Sequence, residues 1–187
     1  DASDDAHTYV GELVQKHVAA NPRIRYVKIE NKGIAANTNA AARLAQGEYL
    51  ALADHDDILA PHAIYCMGKE LQKTGADFAY SDEALFRKSP KTAHVAHFKP
   101  DYAPEYLMAC NYICHLAVFR RELFEQVGGE RPECDGSQDH DLFLRLIEQV
   151  GGAAHVPQVL YYWRVHEGST SGGTDAKPYV AKAAKKA

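Results

Sequence analysis

The stretch from Glu48 to Pro61, EYLALADHDDILAP, changes character abruptly: an apolar run from Tyr49 to Ala53 gives way to Asp54, Asp56 and Asp57. A run so short and so apolar suits a strand covered on both faces, which occurs where helices flank a sheet. The neighbouring pattern agrees. Val10, Leu13, Val14, His17 and Val18 recur at helical spacing until Asn21-Pro22, and RIRYVKIE then alternates as a strand. Ala35 to Ala45 is alanine-rich and helical up to Gly47. Pro61 suits the first position of a helix carrying Ile64, Met67 and Leu71 on one face, with Gly75 as its stop and DFAYS as the next strand. Strands alternating with helices predict an α/β fold with a mainly parallel central sheet flanked by helices. Between Leu85 and Pro104 the pattern weakens to a loop; HLAVFR, a helix around Glu122 to Val127, a helix from Asp139 to Val150 and the late strand VLYYWRVH follow.

A chain of 187 residues fits one domain with a single core. Its net charge of -4 lacks the basic footprint of a nucleic-acid binder, so no nucleic-acid partner is expected. Cys66, Cys110, Cys114 and Cys134 form no C-x-x-C pair, which favours reduced thiols in a cytoplasmic setting. Cys110, Cys114 and His115 lack the second ligand pair of a zinc site. No apolar run reaches the ~20 residues of a membrane span. Residues 171–187 read as a flexible, basic tail whose Lys177, Lys182, Lys185 and Lys186 form either a solvated face or a peripheral contact with an anionic membrane.

In an open α/β sheet the ligand crevice lies beyond the carboxyl ends of the strands, where Asp54, Asp56 and Asp57 fall. If the extended geometry persists, Asp54 and Asp56 point the same way and offer oxygen ligands to Mg²⁺ or Mn²⁺. Asp57 fits a helix cap. In CDGSQDHDLFLRLIEQVGG, Asp139 opens a helix with Phe143 one turn later on the same face, so it is either an inward carboxylate able to accept a proton or simply an acid favoured at a helix N-terminus. Asp141, about 200° around that helix, reads as structural, and Asp135 as a loop cap. The aromatics Tyr161, Tyr162 and Trp163 either fill the core or stack on a sugar.

The ordered set NKGIAANTNAAARLAQGEYLALADHDD, YSDE, HFKPDY, NYICHLAVFRRELFEQVGG, GSQDHDLFLR and LYYWRVHEGSTS resembles the family 2 glycosyltransferases, inverting enzymes of the GT-A fold. The resemblance covers most of the chain. It implies a nucleotide-sugar donor, a glycan or lipid-linked acceptor and a divalent metal, Mn²⁺ or Mg²⁺, with a role in cell-surface polysaccharide synthesis at or near the inner face of the membrane. It further implies that Asp139 is the catalytic base, that Asp56 and His166 hold the metal, that Asp54 meets the ribose region, and that Asp1, Gly33 and Asn39 belong to the donor site. Residues 1–83 would form the nucleotide-binding half and residues 84–170 the acceptor half.

The family's opening strand, its P-x-Y-N-like turn and the helix and strand after it would precede Asp1, so the chain reads as N-terminally truncated, with an exposed strand edge. Ala84 stands where many relatives carry an acid, leaving Asp82 and Glu83 only loosely attached to the site. Two alternatives stay open on sequence alone: a nucleotidyltransferase, for which no Gly-rich signature is present, and a non-catalytic nucleotide- or sugar-binding module.

Overall fold

The computed structural model describes residues 1–3 and 5–166. Helix α1 (Tyr9–Ala20) and an extended segment precede α2 (Ile34–Ala42), and β1 (Tyr49–Leu52), β2 (Ile58–Leu59), α3 (Ala63–Thr74) and β3 (Phe78–Phe86) follow. Then come β4 (Val95–His97), α4 (Pro104–Ala109), β5 (Ala117–Arg120), α5 (Arg121–Gln126), α6 (Gln138–Val150) and β6 (Ala154–Arg164). The sheet runs β1-β5-β3-β6-β2, and β4 joins the second half of β3 where β5 has ended.

Alternating side chains of the central strands build both faces of the core. Phe78 and Tyr80 on β3, with Ala117 and Phe119 on β5, lie in one buried cluster with Leu142, Phe143 and Leu146 of α6. Phe78 meets Phe119 edge-on at 5.9 Å and Phe143 at 5.4 Å. On the other face, Ala79 and Val118 pack with Met67 and Leu71 of α3 and Leu160 of β6. Each fully buried side chain of this size contributes about 1.5–3 kcal/mol. Gly75 and Gly151, at φ 67° and 75°, end α3 and α6 in the left-handed conformation that glycine adopts without strain.

The helix-flanked α/β sheet agrees with the sequence; its parallel character does not. Only β3 and β6 run parallel among the described pairings, and β1·β5, β3·β5, β3·β4 and β2·β6 are antiparallel. Apolar runs report burial on two faces, not strand direction, and here a long connection returns β5 against β1. RIRYVKIE forms no strand ladder. Its only described pairing is with the first residue: Asp1 N donates to Val27 O at 3.0 Å and Ile29 N to Asp1 O at 2.9 Å. Pro61 lies two residues ahead of α3, whose cap is His62. The 85–104 segment is less irregular than expected, because β3 runs on to Phe86 and β4 folds back on it. Among the described residues no helix is long and apolar enough to cross a membrane. The predicted basic tail, 171–187, lies outside the described residues.

Inside β3, Asp82 and Glu83 are each only 2% exposed, so both acids belong to the buried sheet. Asp82 accepts from Lys99 N and meets His155 Nε2, both at 2.9 Å. Glu83 accepts from Lys99 Nζ and from His115 N, each at 3.1 Å, and meets His97 Nδ1 at 3.1 Å. The remaining Lys99 donors reach Ile113 O at 2.6 Å and His115 O. Removing one partner of a buried pair leaves the other uncompensated. Lys99→Met should therefore cost about 3–5 kcal/mol in urea denaturation, and Glu83→Gln added to it should restore part of the loss.

Candidate active site

A cavity of about 740 Å³ opens at the carboxyl end of β1, between α2, the 108–115 segment and the start of α6. Asp54, His115, Glu130, Asp139 and Trp163 line it. Two of the sequence-selected acids, Asp54 and Asp139, thus share one cleft.

Asp139 occupies the first turn of α6. Asn111 Nδ2 donates to its Oδ2 at 2.8 Å, and His140 N to its Oδ1 at 2.9 Å, so the carboxylate is oriented from both sides. Asp141 is structural, as expected. Burial raises its proton affinity, but hydrogen bonds from Arg131 and Arg145 win and hold its carboxyl below the usual range.

The carboxylate triplet departs from simple alternation. β1 ends at Leu52, and Asp57 N bonds Asp54 O at 3.3 Å, so the chain turns before the strand geometry can carry Asp56 alongside Asp54. Asp54 Oδ2 instead approaches His115 Nε2 at 3.7 Å, while Asp56 Oδ2 meets His166 Nε2 at 3.1 Å. Asp57 caps no helix. Its carboxylate accepts from Tyr161 Oη at 2.6 Å and Arg164 N at 2.7 Å, which fastens the acidic turn to β6. Burial pushes its pKa up despite these bonds, with Asp56 and Asp54 adding to the rise.

Two donor sets fit a hard divalent cation by chemistry. Asp56 and His166 present an oxygen and a nitrogen side by side, and Asp54, Asp57 and His115 offer ligand atoms all within 4.8 Å of one another. His115 is held edge and face by aromatics, stacked on Tyr161 at 4.6 Å and perpendicular to Trp163 at 5.7 Å. Tyr161 is fully buried, whereas half-buried Trp163 reaches the cavity wall.

Gly33 and Asn39 lie outside the cavity lining and meet the 130–135 segment. Gly33 has φ 96°, and a Cβ there would lie 2.2 Å from Asp135 Oδ2. Asp135 uses Oδ1 to accept from Ala35 N at 2.9 Å, so it caps α2 from across the chain and not its own loop. Asn39 clamps the backbone of Glu130 in both directions, at 2.7 and 2.9 Å. Asp1 stands outside the cavity lining. Its carboxylate takes Ser3 N at 2.8 Å, Ser3 Oγ at 2.6 Å and Tyr26 Oη at 2.5 Å.

Sequence reading missed Glu130, His115 and Asn111. Glu130 is 3% exposed, and burial, reinforced by Asp139, Asp135 and Asp54, pushes its carboxyl up to about 8 against the hydrogen bond from Thr38. Its only sequence signal is an acid directly after Val127-Gly128-Gly129.

Residues 1–128 match the sequence model described as Glycosyl transferase family 2. The O-antigen biosynthesis protein RfbC of Myxococcus xanthus is 33% identical over 173 residues, 90% of this chain and 13% of that protein. The chain spans about a fifth or less of the length of the first curated relatives it matches. S. aureus TarS residues 1–349, solved in complex with UDP-GlcNAc, superposes with a TM-score of 0.70 at 11% identity, covering 93% of this chain and 53% of that one. The mannosyltransferase PcManGT from Pyrobaculum calidifontis, solved with GDP-Man and Mn²⁺, gives 0.60 at 23% identity over 89% and 46% of the two chains. These likenesses establish a shared fold.

The raised Glu130 carboxyl fixes a sign for stability against pH. Below its ordinary 4.5 the group is protonated folded and unfolded alike; from there to about 8 the unfolded chain ionises while the folded one keeps its proton, so stability falls as pH rises. Glu130→Gln should be indistinguishable from wild type near pH 4 and more stable by about 2–4 kcal/mol at pH 7–8. Thermal denaturation across that range checks it.

Proposed function

The chain belongs to glycosyl transferase family 2, and on that footing we propose that it is a metal-dependent, inverting transferase that moves a sugar from a nucleotide-sugar donor to a glycan or lipid-linked hydroxyl. The observation that carries this reading is the shared cavity of Asp54 and Asp139, with Asn111 aiming the Asp139 carboxylate. Polysaccharide synthesis, in the manner that the name of RfbC indicates for that protein, is the proposed setting, at the inner face of a membrane.

In this reading Asp139 takes the proton of the acceptor hydroxyl as its oxygen bonds to the anomeric carbon. The bond from that carbon to the diphosphate oxygen breaks on the opposite side, and configuration inverts once. A carboxylate already held by two hydrogen bonds needs little reorganisation to do this. Asp54 meets the ribose end of the donor. Asp56 and His166 would hold the cation, while Asp54, Asp57 and His115 form a separate donor set. Bound Mn²⁺ or Mg²⁺ supplies neutralisation of the charge developing on the departing diphosphate. Gly33 and Asn39 shape the donor side by letting α2 close on Asp135 and the Glu130 turn, and Asp1 belongs to the base-recognition edge. Residues 1–83 make up the nucleotide half and 84–170 the acceptor half.

Calorimetry with Mn²⁺ and UDP or GDP separates these roles. Asp56→Ala should abolish the metal-dependent part of nucleotide binding. Asp139→Asn should bind nucleotide as wild type does and lose transfer by at least a hundredfold, the low end of a general-base contribution. Nucleotide binding that ignores Mn²⁺, or transfer that survives in Asp139→Asn, would sink the reading.

A further inference from the structure

Glu130 carries a buried carboxyl that the chain leaves half used. It follows Gly128 and Gly129, at φ 81° and 72°, on the connection between α5 and α6, and Asn39 occupies both of its backbone polar groups. The approach is tight: a Cβ on Gly129 would sit 2.4 Å from Asn39 Oδ1. With its backbone pinned, the side chain is directed to the cavity wall. Thr38 hydrogen-bonds the carboxyl, while Oε2 is fully buried and has no partner. The charged groups acting on it are Asp139, Asp135 and Asp54, all acids. Leucine at this position would remove an unsatisfied polar atom and three repulsions. A carboxyl kept there, at a cost to stability, needs a partner from outside the chain.

We propose that Glu130 is a specificity-determining residue for the transferred sugar, its carboxyl taking a hydroxyl of that sugar as hydrogen-bond partner. This rests on the glycosyl-transfer reading of the cavity. Glu130 lines the same cavity as Asp54, at the donor end, and Asp139, at the acceptor end, and the group lying between those ends is the sugar in transit. A hydroxyl both donates and accepts, so it satisfies the carboxyl in either protonation state. A phosphate oxygen would face three further acids, and a methyl group would leave Oε2 as unpaired as before. Sites of this kind discriminate strongly, because a ligand lacking the hydroxyl strands the buried polar group.

The full chain, ¹³C-labelled at the glutamate carboxyls, provides the test, with the Glu130 signal assigned by its loss in Glu130→Gln. The Trp163 indole N–H reports independently on occupation of the cavity. UDP, GDP, UDP-glucose, UDP-GlcNAc and GDP-mannose are titrated in the presence of Mg²⁺. At least one nucleotide sugar should move both signals, while UDP and GDP move Trp163 alone. Glu130→Leu should then weaken binding of that nucleotide sugar about ten- to a hundredfold and leave binding of the bare nucleotide unchanged. Nucleotide sugars that shift Trp163 but leave Glu130 still would overturn the inference with the donor site intact. Equal losses for nucleotide and nucleotide sugar in Glu130→Leu would assign a structural role and overturn it too. If no probe moves either signal, the inference and the donor-site reading fall together; if Glu130 responds but no transfer occurs, only the catalytic reading falls.

Discussion

The buried pair of Glu83 and Lys99 holds the rest in place. Lys99 spends its three donors on Glu83, Ile113 O and His115 O, and Glu83 accepts in turn from His115 N. A salt bridge in the interior gains little stability by itself, since desolvating both charges offsets most of their attraction. What this one provides is position. It ties the central strand β3 to an irregular segment, 111–116, that carries three wall residues of the cavity: Asn111, Cys114 and His115. Asn111 then orients Asp139, and His115 approaches Asp54. One ion pair in the sheet thereby sets the distance between the two ends of the candidate site.

Compensation of the acids is uneven, and the unevenness separates scaffold from chemistry. Asp141 is answered by two arginines, Asp57 by a tyrosine hydroxyl and a backbone amide, and Asp82 by a backbone amide and a histidine. Each of these is hydrogen-bonded within the chain and fixes one element against another, although burial still raises the Asp57 pKa. Asp54 and Asp139 keep their carboxylates at the cavity, and Glu130 keeps an oxygen with no partner. Burying polar groups without partners is costly, so such groups gather where a ligand completes them.

Much of this was readable from periodicity and little of it from strand direction. The stripes of α3 and α6 were explicit, because Met67 with Leu71 and Leu142 with Leu146 repeat at helical spacing and are buried, although Ile64, read on the same face of α3, is 60% exposed. Asp54 and Asp139 were legible as acids at the start or end of regular elements. Asp56 was misplaced beside Asp54 because alternation was extended past Leu52 into residues that turn. RIRYVKIE shows the same limit from the other side: it has strand chemistry, yet a strand exists only when its backbone groups are paired, and among the described residues its one distant backbone partner is Asp1. His115 and Glu130 gave no local signal. Their importance comes largely from neighbours distant in sequence, such as Glu83, 32 positions from His115, and Asn39, 91 positions from Glu130.

Those long-range neighbours also explain why the cavity behaves as one unit although its walls come from both halves of the chain. Asp135 reaches back a hundred positions to cap α2, and only a glycine at position 33 leaves room for it. Asn39 reaches forward ninety-one positions to seize the Glu130 backbone. Helix α2 is therefore bonded twice to the connection that leads into α6, whose first turn carries Asp139. A displacement of α2 cannot occur without dragging Glu130 with it, because two directional hydrogen bonds and a steric fit at Gly129 resist the shift. The α2 wall of the cavity and the α6 wall that carries Asp139 are thus mechanically the same object.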